Sequence, residues 1–172
     1  VFGTDKFEEE FAEFTGAKYC VGVNSGTSAL ILAQFACDVR PGDKVKTVSH
    51  TFTATVTSIK HLGATHEFVD IDEKTYCING QHVGTFGKAG TFSFYPGKGI
   101  GAFGDAGCII TDDEGLAKEL KEQRSWKEND VGFNFRMANI NARFLSLKLK
   151  YYPEVLKAKK EIAKYCTELE KI

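Results

Sequence analysis

The chain has 172 residues, 42% hydrophobic and 26% charged, with a formal net charge of −1. That is the composition of a globular domain with a sizeable core, and the near-neutral balance leaves no footprint for nucleic acid or an anionic membrane. No apolar run reaches bilayer-spanning length, and the opening Val1-Phe2-Gly3-Thr4-Asp5-Lys6 is no signal peptide; lacking a Met, it reads as the interior of a longer product.

Residues 5–14 put Phe7, Phe11 and Phe14 on one face of a predicted helix, with glutamates opposite and Gly16 as its stop. Tyr19-Cys20-Val21-Gly22-Val23 is a short apolar strand, and a helix follows Asn24-Ser25-Gly26-Thr27-Ser28 to about Cys37. Pro41-Gly42-Asp43 is a turn, 44–48 a strand, 53–62 a helix closed by Gly63, and 65–69 a strand ending at Asp70-Ile71-Asp72. Strand, helix, strand, helix, strand at this spacing predicts an α/β fold, a mostly parallel sheet covered by helices, with ligands at the carboxyl ends of its strands.

After a short polar stretch at 77–88, strands are expected at 90–94 and 108–111. Asp112-Asp113-Glu114 opens a helix expected to run to about Trp126, with acids in the first turn where the helix dipole favours them. Two more helices, 138–151 and 154–172, are expected on either side of Pro153. The stripe Val155, Leu156, Ile162, Cys166 on the last one calls for a partner surface. The five cysteines, Cys20, Cys37, Cys77, Cys108 and Cys166, form no CxxC pair and read as buried thiols of a protein in a reducing cytoplasm. His50, His61, His66 and His82 lack metal-ligand spacing and read as surface residues.

Several segments carry chemistry. Lys98 sits where an apolar strand enters the turn Tyr95-Pro96-Gly97-Lys98-Gly99. An amine there suits Schiff-base chemistry if burial and nearby cations make it nucleophilic; the plain alternative is a solvated turn lysine. Ser25-Gly26-Thr27 opens a helix and suits a phosphate, through free N–H groups and small hydroxyls, or serves simply as an N-cap. Phe52, at a helix start, suits stacking on a flat ring or core packing. Gly99-Ile100-Gly101-Ala102-Phe103-Gly104 matches GxGxxG, but it leads into a strand rather than opening a helix, which argues against a dinucleotide site. Asp70 and Asp72, two apart at a strand end, face opposite ways and do not make an acid–base pair.

Taken in order, Val23-Asn24-Ser25-Gly26-Thr27-Ser28-Ala29-Leu30, Thr51-Phe52-Thr53-Ala54-Thr55, Gly63-Ala64, Val69-Asp70-Ile71-Asp72, Gly90-Thr91-Phe92-Ser93-Phe94-Tyr95-Pro96-Gly97-Lys98, Gly104-Asp105-Ala106-Gly107 and Gly132-Phe133-Asn134-Phe135-Arg136-Met137 closely resemble the DegT/DnrJ/EryC1/StrS family of pyridoxal-phosphate aminotransferases. These fold-type-I enzymes aminate keto groups of nucleotide-linked sugars. The resemblance implies a three-layer α/β/α domain, pyridoxal 5'-phosphate as cofactor, an amino acid such as glutamate as donor, and no metal. It implies that Lys98 forms the internal aldimine and shuttles the proton. Gly26, Thr27 and Ser93 would hold the phosphate and Phe52 would stack on the ring. Asn134 would reach the partner's cofactor phosphate across a homodimer. Related sugar dehydratases place His at the lysine position, so Lys98 argues against them.

The departures from the pattern also carry expectations. The family's Glu-Asp-x-Ala-Gln motif, whose Asp pairs with the pyridine nitrogen, occurs nowhere in the chain, and Asn79-Gly80-Gln81-His82 stands where several tens of residues are expected. The family's Arg-x-His-Gly reads Arg124-Ser125-Trp126-Lys127. Residues 1–150 are therefore expected to form an incomplete cofactor-binding large domain, with a segment missing near 79–82. Residues 151–172 would be a helix leading toward a small domain. Either the intact protein carries further residues at that junction, or the chain is a catalytically impaired relic acting as a non-catalytic dimerisation or regulatory module.

Overall fold

The computed structural model describes residues 3–70, 77–78, 81–82, 87–127 and 130–169. Helix α1 (Thr4–Thr15) buries Phe7 and Phe11 one turn apart and ends at Gly16, whose left-handed φ of 76° lets its N–H reach Glu13 O. Strand β1 (Tyr19–Val23) leads into α2 (Gly26–Ala36). Strand β2 (Lys44–Val48), α3 (Thr53–His61) and β3 (Thr65–Val69) follow as one strand–helix–strand unit. Two short strands, β4 (Cys77–Ile78) and β5 (Gln81–His82), pair antiparallel. Then come β6 (Gly90–Ser93), β7 (Gly107–Thr111), α4 (Glu114–Gln123), β8 (Ser125–Lys127), β9 (Asp130–Asn134) and the long α5 (Asn139–Leu169).

The central sheet runs β1-β7-β6, and its two faces bury different helices. Cys20 and Cys108 face a cluster built from Phe7 and Phe11 of α1 and Ala142, Leu145 and Leu149 of α5. Their alternate neighbours Val21, Val23 and Ile109 face Ala29 and Leu32 of α2 and Leu116 and Leu120 of α4. Strand alternation thus produces three layers, helix–sheet–helix, and explains why β1 and β7 read as unbroken apolar runs. A buried carboxylate ties the layers together: Glu8 Oε1 accepts from Gly22 N–H at 2.8 Å and from Arg124, while Arg124 also donates to Gly22 O at 3.0 Å.

The α/β class holds, and β2 and β3 pair in parallel from Lys44↔Thr65 to Val48↔Val69. Strand β7, however, runs antiparallel to both neighbours, leaving β1 and β6 parallel to each other. The chain returns from β6 to β7 through a loop, and without a crossover helix the reversal is enforced. Among the described residues β2 and β3 find no third strand, and Phe68 is 51% exposed.

Other expectations need correction. The helix expected to reach Trp126 stops at Gln123, because Arg124 is drawn into the Glu8 contact and Ser125–Lys127 pairs with β9 instead. Pro153 lies inside a single helix rather than between two, since its fixed φ is helical and its ring costs one hydrogen bond, not the element. Cys20 and Cys108 are buried, but Cys37 is exposed at the end of α2. The side chains of Cys77, Cys166 and His82, the residues 79 and 80 of the expected junction, and Asp72 lie outside the described residues.

Candidate active site

Ser25 caps α2, its hydroxyl accepting from Ser28 N–H at 3.0 Å, so the helix starts squarely at Gly26. The first N–H groups of such a helix have no partner inside it and, with the dipole, favour an anion. Ser93, the last residue of β6, presses on this start. A Cβ built on Gly26 would lie 2.6 Å from Ser93 Cβ and 3.0 Å from its Oγ. The glycine is thus required by close approach, and it leaves a cradle of backbone N–H and hydroxyl groups.

Helix α3 faces α2 and is tied to it by Gln34 Nε2, which donates to the fully buried Ser58 Oγ at 2.9 Å. This places Phe52, just before α3, beside the cradle. Phe52 is 72% exposed, an unusual state for a large aromatic beside a concave wall. On the opposite side, Lys98 N–H closes a tight turn on Tyr95 O at 2.8 Å. Its ammonium stands 5.8 Å from the centre of the Phe52 ring.

Gly26, Thr27, Phe52, Ser93 and Lys98 line a single cleft of about 760 Å³. Asn134 is not part of it: it is exposed at the end of β9, with its carbonyl accepting from Asn24 Nδ2 at 3.3 Å. Lys98 is exposed, so the described residues do not supply the burial invoked for its reactivity. Sequence reasoning assigned no role to Tyr95, Thr55 or Asp105, which also line the cleft. For Tyr95 the only sequence signal is its place, just past the apolar strand and three residues before Lys98. Asp105 carries no such local signal; it enters the wall because the loop folds back before β7.

The remaining candidates fall elsewhere. The Gly99–Gly104 glycine pattern opens no helix. Asp70, His50 and His61 are exposed, and His66 packs on Phe68 at 4.9 Å. Among the described residues no cluster of His, Cys, Asp or Glu is arranged to hold a metal, and no helix is long and apolar enough to cross a membrane.

The sequence profile of the DegT/DnrJ/EryC1/StrS aminotransferase family matches residues 3–82 and then 78–172. The chain belongs to this family. It is 32% identical over 198 residues to the UDP-N-acetyl-3-dehydro-alpha-D-glucosamine 3-aminotransferase of Acidithiobacillus ferrooxidans, covering 80% of this chain and 54% of that protein. It is 32% identical over 224 residues to the dTDP-3-amino-3,6-dideoxy-alpha-D-galactopyranose transaminase of Aneurinibacillus thermoaerophilus, covering 95% and 62%. A crystal structure of a DegT DnrJ EryC1 StrS aminotransferase from Brucella abortus superposes with a TM-score of 0.87 at 23% identity, over 98% of this chain and 63% of that one. The chain shares the fold of this DegT-family structure, and it spans little more than half the length of the relatives it matches.

The family match is split near residues 78–82. In the second alignment, 95% of 172 residues fills all but roughly 60 of the 224 positions, room for two strand–helix units at about 30 residues each. The described residues thus offer a phosphate cradle, an aromatic face and an amine in one cleft, which fits pyridoxal phosphate at three of its functional groups. The Glu-Asp-x-Ala-Gln acid motif is absent from the chain.

Proposed function

We propose that the protein containing this chain is a pyridoxal 5'-phosphate-dependent aminotransferase that aminates a keto group of a nucleotide-linked sugar, with glutamate as amino donor. The observation that carries the reading is the meeting in one cleft of Lys98, Phe52 and the Gly26–Ser93 contact. The family membership supports the reaction, and the UDP- and dTDP-amino-sugar names of the relatives support the substrate class.

When bound, the cofactor supplies an electron sink for exchange of nitrogen at a carbon. Gly26 and Thr27 N–H groups and the Ser93 hydroxyl hold its phosphate at the start of α2. Phe52 covers one face of its ring. Lys98 would hold the group through its Nζ and, as a free amine, would carry a proton across the cleft. In a homodimer Asn134 serves the partner's phosphate, and the partner completes the dry surroundings that the exposed Lys98 lacks. Residues 1–150 act as the cofactor-binding domain, and residues 151–172 as the helix leading toward a small domain. No metal has a role, and the working compartment is the cytoplasm.

One observation favours a second reading. The roughly 60 positions without counterpart, two strand–helix units' worth, would leave a protein that ends with this sequence without the ring-nitrogen acid, as a non-catalytic dimerisation or regulatory module. Intact mass separates the two, because the chain alone weighs 19.0 kDa. Adding pyridoxal phosphate to the intact protein is expected to produce a visible band from a covalent adduct, absent in Lys98→Ala. Borohydride should then fix the cofactor mass on the Lys98 peptide. A wild-type protein with no band, or an adduct that survives Lys98→Ala, refutes the cofactor reading.

A further inference from the structure

Lys98 rides on a loop, residues 94–106, which is fixed by three backbone bonds of its own. Phe94 N–H donates to Ala106 O at 2.8 Å, Ala102 N–H to Phe94 O at 2.7 Å, and Lys98 N–H to Tyr95 O at 2.8 Å. The carbonyls of Gly101 and Asp105 are taken up from outside the loop, and both by α5. Lys148 Nζ donates to Gly101 O at 2.8 Å, and Asn141 Nδ2 donates to Asp105 O at 2.9 Å. Asn141 is 7% exposed, so its amide is dedicated to this contact. Lys148 is steadied over the Phe144 ring at 5.1 Å.

A third side chain of the same helix face completes the arrangement. A Cβ built on Gly99 would lie 2.5 Å from Tyr152 Oη, so the tyrosine rests on the residue that follows Lys98. Positions 141, 148 and 152 recur at spacings that keep them on one side of a helix. Between them, Ile100, Ala102 and Ala106 of the loop pack into the same apolar cluster as Ala142, Leu145 and Leu149. The loop is therefore clamped to α5.

We propose that Asn141, Lys148 and Tyr152 are positioning residues for Lys98, holding its loop to α5 so that the amine is aimed into the cleft. The inference rests on the reading of Lys98 as the cofactor-binding lysine. A carbonyl robbed of its donor turns toward water, and covalent capture is sensitive to a displacement of about 1 Å of the attacking atom.

The test uses the intact protein with two probes. Pyridoxal phosphate reads capture by Lys98. Pyridoxamine phosphate, which has no carbonyl to capture, reads the phosphate cradle and the Phe52 face alone. Lys148→Met keeps the aliphatic stem and removes the donor; Asn141→Leu removes the other. Each is expected to lower the capture constant about tenfold, with pyridoxamine phosphate affinity within about twofold of wild type, and Lys148→Arg to restore capture. An unchanged capture constant in either donor-deleted variant overturns the inference. Parallel loss of both probes also overturns it, because the damage is then general. A wild type that captures nothing removes the Lys98 reading itself, and this inference with it.

Discussion

Replacing Gly26 with alanine separates helix propensity from tertiary fit. Gly26 does not have a positive φ, and alanine is the better helix former by up to about 1 kcal/mol. Local reasoning alone therefore predicts stabilisation. The structure predicts the reverse. The new Cβ would lie 2.6 Å from Ser93 Cβ, 3.0 Å from its Oγ and 3.1 Å from its Cα, and Ser93 cannot retreat because β6 is registered against Gly107 of β7. Overpacking of this kind costs about 1–3 kcal/mol, enough to cancel the propensity gain and leave a net loss of up to about 2 kcal/mol. The phosphate site suffers more, because either α2 or Ser93 must move. Losing one hydrogen bond to a charged group costs about 1.5–3 kcal/mol, or roughly 10- to 100-fold in affinity. Thermal unfolding and titration with pyridoxamine phosphate measure the two effects separately. Adding Ser93→Gly to Gly26→Ala should recover stability but not affinity. If Gly26→Ala is as stable as wild type and binds the probe equally well, the cradle is not where this geometry puts it.

Removing Arg124 by Arg124→Met leaves the Glu8 carboxylate buried at 4% side-chain exposure, with the Gly22 N–H at 2.8 Å and Lys121 at 3.5 Å as its partners. The expected cost is about 3–5 kcal/mol in urea unfolding, and the double variant with Glu8→Leu should lose less than the single one. Equal midpoints for Arg124→Met and wild type would contradict this. Although Cys37 is exposed at the surface, the partial desolvation of its thiol where it sits against the protein pushes it up; Lys88 pulls the other way, and Glu119 and Asp113 add to the rise. Because the thiolate is the reactive form, alkylation of Cys37 should lag an unstructured thiol at mildly alkaline pH and catch up only as pH rises further. Cys20 and Cys108 should stay unmodified until the protein unfolds. Site-resolved mass spectrometry after a pH series checks both statements, and early labelling of Cys108 would count against the buried cluster.

Much of the site was legible in the chain because its signals are local. Ser25 before an apolar helix, Gly26 beside it, Phe52 at a helix start and Lys98 after an apolar strand each announce a cap, a close approach or a strand end. What stayed hidden depends on partners far away in sequence. Strand β8 looked like helix because Trp126 carries no mark of its pairing with β9, and the stop at Gln123 is set by Arg124 reaching Glu8, 116 residues earlier.

Sequence alone determined most of the helices and strands and their order, since periodicity, caps and turn chemistry act within a few residues, and it singled out Lys98 as the candidate amine. Only the tertiary structure decided that β7 runs against its neighbours, that Phe52 and Ser93 face the same cleft as Lys98, and that α5 holds the lysine loop from 47 residues away. Those facts follow from burying two sheet faces at once and from the donors that α5 supplies to the Gly101 and Asp105 carbonyls.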